Sequence, residues 1–222
     1  MMGKTHTTSS LAIVHTGLAL YVAEKITFKN PQLYSLNSTL TNVGKLDYVL
    51  MSVFFTSLLA VVFKAQKLKN MKIRLGLIIT SLICIGAISP PSFTLTVSGF
   101  FFLLGGLLPD IDSEKSVLGR YMKPLSESIE HRTITHSIWF ILLFLGISFY
   151  FKSVYLYSLT LGIILHMVAD SFSMLGVRWF YPLGEKGGPK YSYRVGGTFE
   201  TIIFWASVGV NILCFMYIFV KL

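Results

Sequence analysis

Seven long apolar stretches, at approximately 8–23, 46–63, 73–89, 92–108, 137–151, 154–169 and 199–220, constrain this sequence more than any other feature. A helix crosses the hydrocarbon of a bilayer with roughly 20 apolar residues, and several stretches approach that length with no charge inside them. Hydrophobic residues fill 53% of the 222 positions and charged residues 13%, too few to clothe a soluble fold of this length. The expected fold is all-α: a polytopic helical membrane bundle of about six or seven hydrophobic helices, forming one domain over residues 1–222. The shorter stretches are expected to lie partly among the headgroups or inside the bundle. Pro90-Pro91 and the Lys152-Ser153 turn separate neighbouring stretches.

The net charge of +9 does not make nucleic acid the expected partner, because the cytoplasmic loops of a membrane protein collect Lys and Arg. Membrane lipids are the expected surroundings. Cys84 and Cys214 fall inside apolar stretches without CxxC spacing and read as small hydrophobes. After Lys4 comes Thr-His-Thr-Thr-Ser-Ser with no small-residue cleavage pattern, so the first apolar stretch is expected to persist as a helix.

The segment from Lys64 to Arg74 holds Lys64, Lys67, Lys69, Lys72 and Arg74 and no acidic residue, which marks it as cytoplasmic. If each stretch crosses once, alternation puts the N-terminus and the loops 109–136 and 170–198 on that same side. The concentrated polar motifs then share one face, where a single site can assemble.

Four motifs carry candidate chemistry. Pro109 disfavours further helix and delivers Asp110 and Asp112 at the end of the fourth stretch. Both offer hard oxygen ligands, though only a turn would let two carboxylates two residues apart converge; alternatively Asp112 caps a helix near Ser113. His131 and His136 in His-Arg-Thr-Ile-Thr-His-Ser are five apart, so His131 is expected in the entering loop and His136 in the first helical turn, with Thr133 or Thr135 as cap. Neutral imidazoles suit zinc and related metals, and the planar fork of Arg132 suits a phosphate. His166 and Asp170, at i and i+4, lie on one helix face; they share a metal, or Asp170 orients His166 through its other nitrogen. Glu200, after Gly196-Gly197, either faces the dipole of the last helix or serves as a ligand or general base. His6 stands near the terminus, where a solvated His is the ordinary case. His15 is some 13 Å deeper by helical rise and reads as a packed residue.

In order, Thr5-His6, Leu108-Pro109-Asp110-Ile111-Asp112, His131 to Ser137, His166-Met167-Val168-Ala169-Asp170-Ser171 and Gly196-Gly197-Thr198-Phe199-Glu200 resemble the YdjM-like family of bacterial membrane-bound metal-dependent hydrolases. The ordered combination covers nearly the whole chain and is far more specific than any one motif. The resemblance adds His6 to the expected ligands and places the chain in the bacterial cytoplasmic (inner) membrane. It also implies a distant similarity to zinc-dependent phospholipase C and single-strand nucleases. Thr133 stands where the family often has Gly, and Phe172-Ser173-Met174 where a Thr-Pro-Trp-like turn is common, departures that spare the ligands.

On this reading one or two divalent ions, zinc or else Mn²⁺, are held by His131, His136, His166, Asp110, Asp112 and Asp170, joined by His6. Arg132 would stabilise phosphate charge and Glu200 accept a proton during hydrolysis of a phosphoester substrate. The rival expectation is a non-enzymatic membrane protein that binds metal for structure, sensing or transport.

Overall fold

The computed structural model describes residues 5, 8–9, 11–13, 16, 44–64, 71–114, 116, 118–122, 124, 132–174, 176–183, 194 and 196–221. His6, His15, Lys67, Lys69 and His131 lie outside the described residues. The described chain is helical, with no strand among these residues: α1 Lys45–Lys64, α2 Met71–Ala87, α3 Pro90–Leu107, α4 Ile138–Phe151, α5 Val154–Ser171 and α6 Thr198–Lys221. The described positions between 5 and 16 are helical as well. Three segments are long and apolar enough to cross a membrane, Ser92–Asp112, Val154–Ser171 and Thr198–Val220; Leu75–Ala87 and Ile138–Phe151 are apolar but shorter. The bounds of the last six apolar stretches hold to within about three residues, since charge and proline end these helices and both are visible in the sequence, while most of 8–23 lies outside the described residues.

The chain packs as two compact units: residues 1–14 with 101–212, and residues 15–100 with 213–222. In the second unit, Ser57 and Ser81 join α1 to α2 through their hydroxyls at 2.6 Å. Asp47, in the first turn of α1, accepts from the Ser89 N–H at 3.1 Å and from the hydroxyls of Ser89 and Ser92 at 2.5 and 2.9 Å. Its carboxylate thereby closes the start of α3, where the two prolines contribute no N–H.

In the first unit, Lys152 in the left-handed conformation (φ 47°) turns the chain between α4 and α5. Ser148 and Thr160 bond across the hairpin at 2.9 Å. Ile141, Leu159, Ile163, Met167 and Val177 form its buried core. Lipid is as apolar as Leu, so helices in a bilayer associate through close packing and hydrogen bonds. Gly105 of α3 and Gly162 of α5 make that packing possible. A Cβ at Gly105 would strike the Leu159 carbonyl, and one at Gly162 the Phe102 carbonyl. Along α6, Ser9 meets Ser207 at 3.0 Å and the Asn211 amide donates to the Thr8 carbonyl at 3.0 Å, tying in the N-terminal segment.

Candidate metal centre

The close crossing of α3 and α5 sets the first element of the site. It brings the Gly106 carbonyl to 2.7 Å from His166 Nδ1. With Nδ1 held by a backbone acceptor, the lone pair of His166 resides on Nε2, which turns to the centre. One turn later on α5, Asp170 Oδ2 lies 3.9 Å from that Nε2. Of the two arrangements open in the sequence, the pair therefore faces a shared centre, and Gly106 takes the orienting role.

Pro109 ends α3 and starts a short 3-10 turn, Pro109–Asp112, that splits the two carboxylates around a single ring. Asp110 Oδ1 lies 3.6 Å from Nε2 of both His136 and His166. Asp112 Oδ2 lies on the other side of the His136 ring, 3.3 Å from Nδ1. Asp112 also accepts from the Arg132 N–H at 2.9 Å and from the Thr135 hydroxyl. Asp112, expected as a ligand, lies beside His136 Nδ1 and the Thr135 hydroxyl in this geometry. The turn that the sequence argument required is present, but it separates the carboxylates.

His136 occupies a 3-10 turn, Ile134–His136, just ahead of α4 rather than the first turn of the helix. Neither threonine caps α4. Thr135 bonds Asp112, Ser137 is the cap residue without a side-chain cap bond, and the Ile138 N–H donates to the Trp179 carbonyl at 2.7 Å. Burial disfavours charge on His136, but the carboxylates of Asp110 and Asp112 beside its two ring nitrogens outweigh it and raise its pKa from 6.5 to about 9.

Arg132 is buried, with φ 64°, a left-handed conformation that costs roughly 1–2 kcal/mol outside glycine. Its side chain sets the site from behind: NH2 lies 2.7 Å from Asp170 Oδ2, and NH1 donates to Ser173 Oγ at 3.0 Å and the Gly176 carbonyl at 2.9 Å. Two arms of the fork expected to meet a phosphate are thus engaged with the protein. Glu200 is also buried; its Oε2 accepts the Gly196 N–H at 2.7 Å, closing the turn before α6, where Gly196 takes φ 78°.

One donor atom each from Asp110, His136, His166 and Asp170 lies within 4.8 Å of the others. Asp112, Arg132 and Glu200 stand outside this foursome. Four donors about 2.0–2.1 Å from one ion in a tetrahedron are about 3.4 Å apart, close to the 3.6–3.9 Å measured between the nitrogens and carboxylate oxygens here. His136, His166 and Asp170 are buried, whereas Asp110 keeps 18% of its side chain exposed, giving the centre one open side. The set could hold a metal ion. The bonds of Thr135 to Asp112, of Ser173 to Arg132 and of the Gly106 carbonyl to His166 escaped the sequence reading, which had Thr135 only as a cap candidate and Ser173 only in a turn; a backbone carbonyl leaves no signal at all.

Residues 71–221 of the 222 match the family described as YdjM inner membrane protein. The chain belongs to that family. With its three spanning-length segments, it is a multi-pass inner-membrane protein. It is also 33% identical over 89 residues to the uncharacterized protein YvsG of Bacillus subtilis (strain 168), a match covering 36% of this chain and 53% of that one. The chain thus spans about half the length of the curated relative it matches. No solved structure matches it.

Proposed function

We propose that this YdjM-family chain is a metal-dependent hydrolase of phosphoesters at the cytoplasmic face of the membrane, with zinc as the preferred ion and Mn²⁺ as the alternative. The observation that carries the proposal is the pair of imidazoles with anchored Nδ1 atoms, both turning Nε2 toward the same two carboxylates. An ion bound there supplies Lewis acidity and lowers the pKa of a coordinated water. Asp110, His136, His166 and Asp170 would hold it, and His6 and His131 are the proposed ligands for any second ion.

The residues around the ion have separable tasks. Asp112 keeps His136 Nδ1 protonated and the ring aimed, as the Gly106 carbonyl does for His166. Arg132 fixes Asp170 Oδ2 and so acts on the reaction through a ligand. Proton acceptance by Glu200 remains part of the proposal, with Glu200→Gln as its test. A phosphoester approaches from the Asp110 side, the open one.

Protein in bilayers, loaded with metal, should hydrolyse phosphoesters, lose activity to chelation and regain it with Zn²⁺ or Mn²⁺. No turnover above the Asp170→Ala background on phospholipids, lipid phosphates or soluble phosphoesters would leave the non-enzymatic metal-binding reading in its place.

A further inference from the structure

α4 is apolar but too short to cross a membrane unaided. Its 14 residues rise about 21 Å, against a hydrocarbon thickness of about 30 Å. A deficit of about 9 Å must be met by bilayer thinning or by whatever continues past one end of the helix. At one end stand the polar Lys152 and Ser153. At the other stand the segments that hold the metal centre.

Those segments have an inverted pattern. Ile134 is 51% exposed between the buried Thr133 and Thr135, and Phe172 and Met174 are 52% and 64% exposed on either side of the buried Ser173. Phe180 and Leu183 continue the same outward apolar series. The polar side chains turn inward, where Thr135 bonds Asp112 and Ser173 bonds Arg132. A loop bathed in water turns its apolar side chains in; polar inside and apolar outside is the arrangement that lipid selects. Trp139, 53% exposed and donating its indole N–H to the Tyr181 carbonyl at 3.0 Å, marks the same level with a residue characteristic of the membrane interface. The part-exposed Arg120 and Arg178 lie in neighbouring segments and suit anionic headgroups.

We infer that the loops carrying the metal centre are sunk into the interfacial layer of the bilayer, and that the substrate is a phospholipid whose phosphoester reaches Asp110 laterally while its chains stay in the membrane. The substrate half rests on the hydrolase reading above; the depth half does not.

Nitroxide labels placed one at a time at Ile134→Cys, Met174→Cys and Phe180→Cys, in a Cys84→Ser/Cys214→Ser background in lipid nanodiscs, test the depth by power saturation. All three label positions are exposed, so the labels themselves disturb no packed core, and the same nitroxide free in buffer serves as the water-exposed control. Labels relaxed by oxygen and shielded from a nickel chelate would support immersion; labels as open to nickel as the control would overturn it. Wild-type protein given phosphatidylglycerol vesicles and soluble glycerol phosphate, at equal phosphoester concentration, tests the substrate. At least tenfold faster turnover of the vesicles is expected. Preference for the soluble ester would overturn lipid as the substrate class, and turnover of neither would remove the hydrolase reading while the depth result stood by itself.

Discussion

Two carboxylate junctions in this chain, each at a helix end, differ in what surrounds them. Asp47 sits among donors: an N–H and two hydroxyls converge on its oxygens, all within ordinary hydrogen-bond distance. Asp110 and Asp170 instead face imidazole Nε2 atoms at 3.6–3.9 Å, beyond such distance, with the rings' Nδ1 atoms held elsewhere. A carboxylate ringed by protein donors ties helices together. Carboxylates and imidazole nitrogens gathered at ligand spacing form a place for a cation, because an ion relieves the repulsion among their lone pairs.

The sharpest way to break that contrast is to remove one carboxylate from each junction. Asp170→Ala should abolish measurable metal binding in purified protein assayed by elemental analysis, whereas Asp47→Ala should keep full occupancy and lose roughly 1–2 kcal/mol of stability with its capping bonds. Metal loss in Asp47→Ala would collapse the distinction. A smaller effect is expected from Asp112→Asn, which preserves shape while weakening the hold on His136 Nδ1. Its metal affinity should fall about 10–100-fold, and an unchanged affinity would show that the ring needs no such support.

The mildest perturbation is pH. In metal-free protein the raised pKa of His136 means that its charged form contributes stability fully below 6.5, and that this contribution is lost as pH rises through about 9. Metal binding runs the other way, since the ion takes the neutral imidazole. Affinity should therefore climb up to about tenfold per pH unit below about 9, with a proton released on binding, measurable by calorimetry in buffers of different ionisation enthalpy. No proton release at neutral pH would mean that His136 is already neutral there.

Much of this could be read in advance. Helix bounds followed from apolar runs broken by Pro90, Pro109 and Lys152, and the i, i+4 spacing of His166 and Asp170 put both on one face. The placement of Asp110 and Asp112 could not be read, because it depends on a 3-10 turn that swings neighbouring carboxylates to opposite sides of one imidazole. The partners of Arg132 were hidden for a related reason: next to a histidine its fork suggests a phosphate clamp, and only the fold brings Ser173, Gly176 and Asp170 to it. Ligands from segments more than 20 residues apart are legible as residue types; their orienting partners are legible only in space.

The crossing at Gly105 and Gly162 makes the centre a gauge of correct membrane insertion. Its four donors come from the end of α3, the turn before α4 and the end of α5, three segments that meet only when α4 runs back against its neighbours. A chain whose α4–α5 hairpin entered the bilayer upside down would keep His166 and Asp170 together on α5 but part them from Asp110 at the end of α3. Capture of an ion there would come after topology is settled, and a metal bound at these four donors would certify a properly threaded molecule.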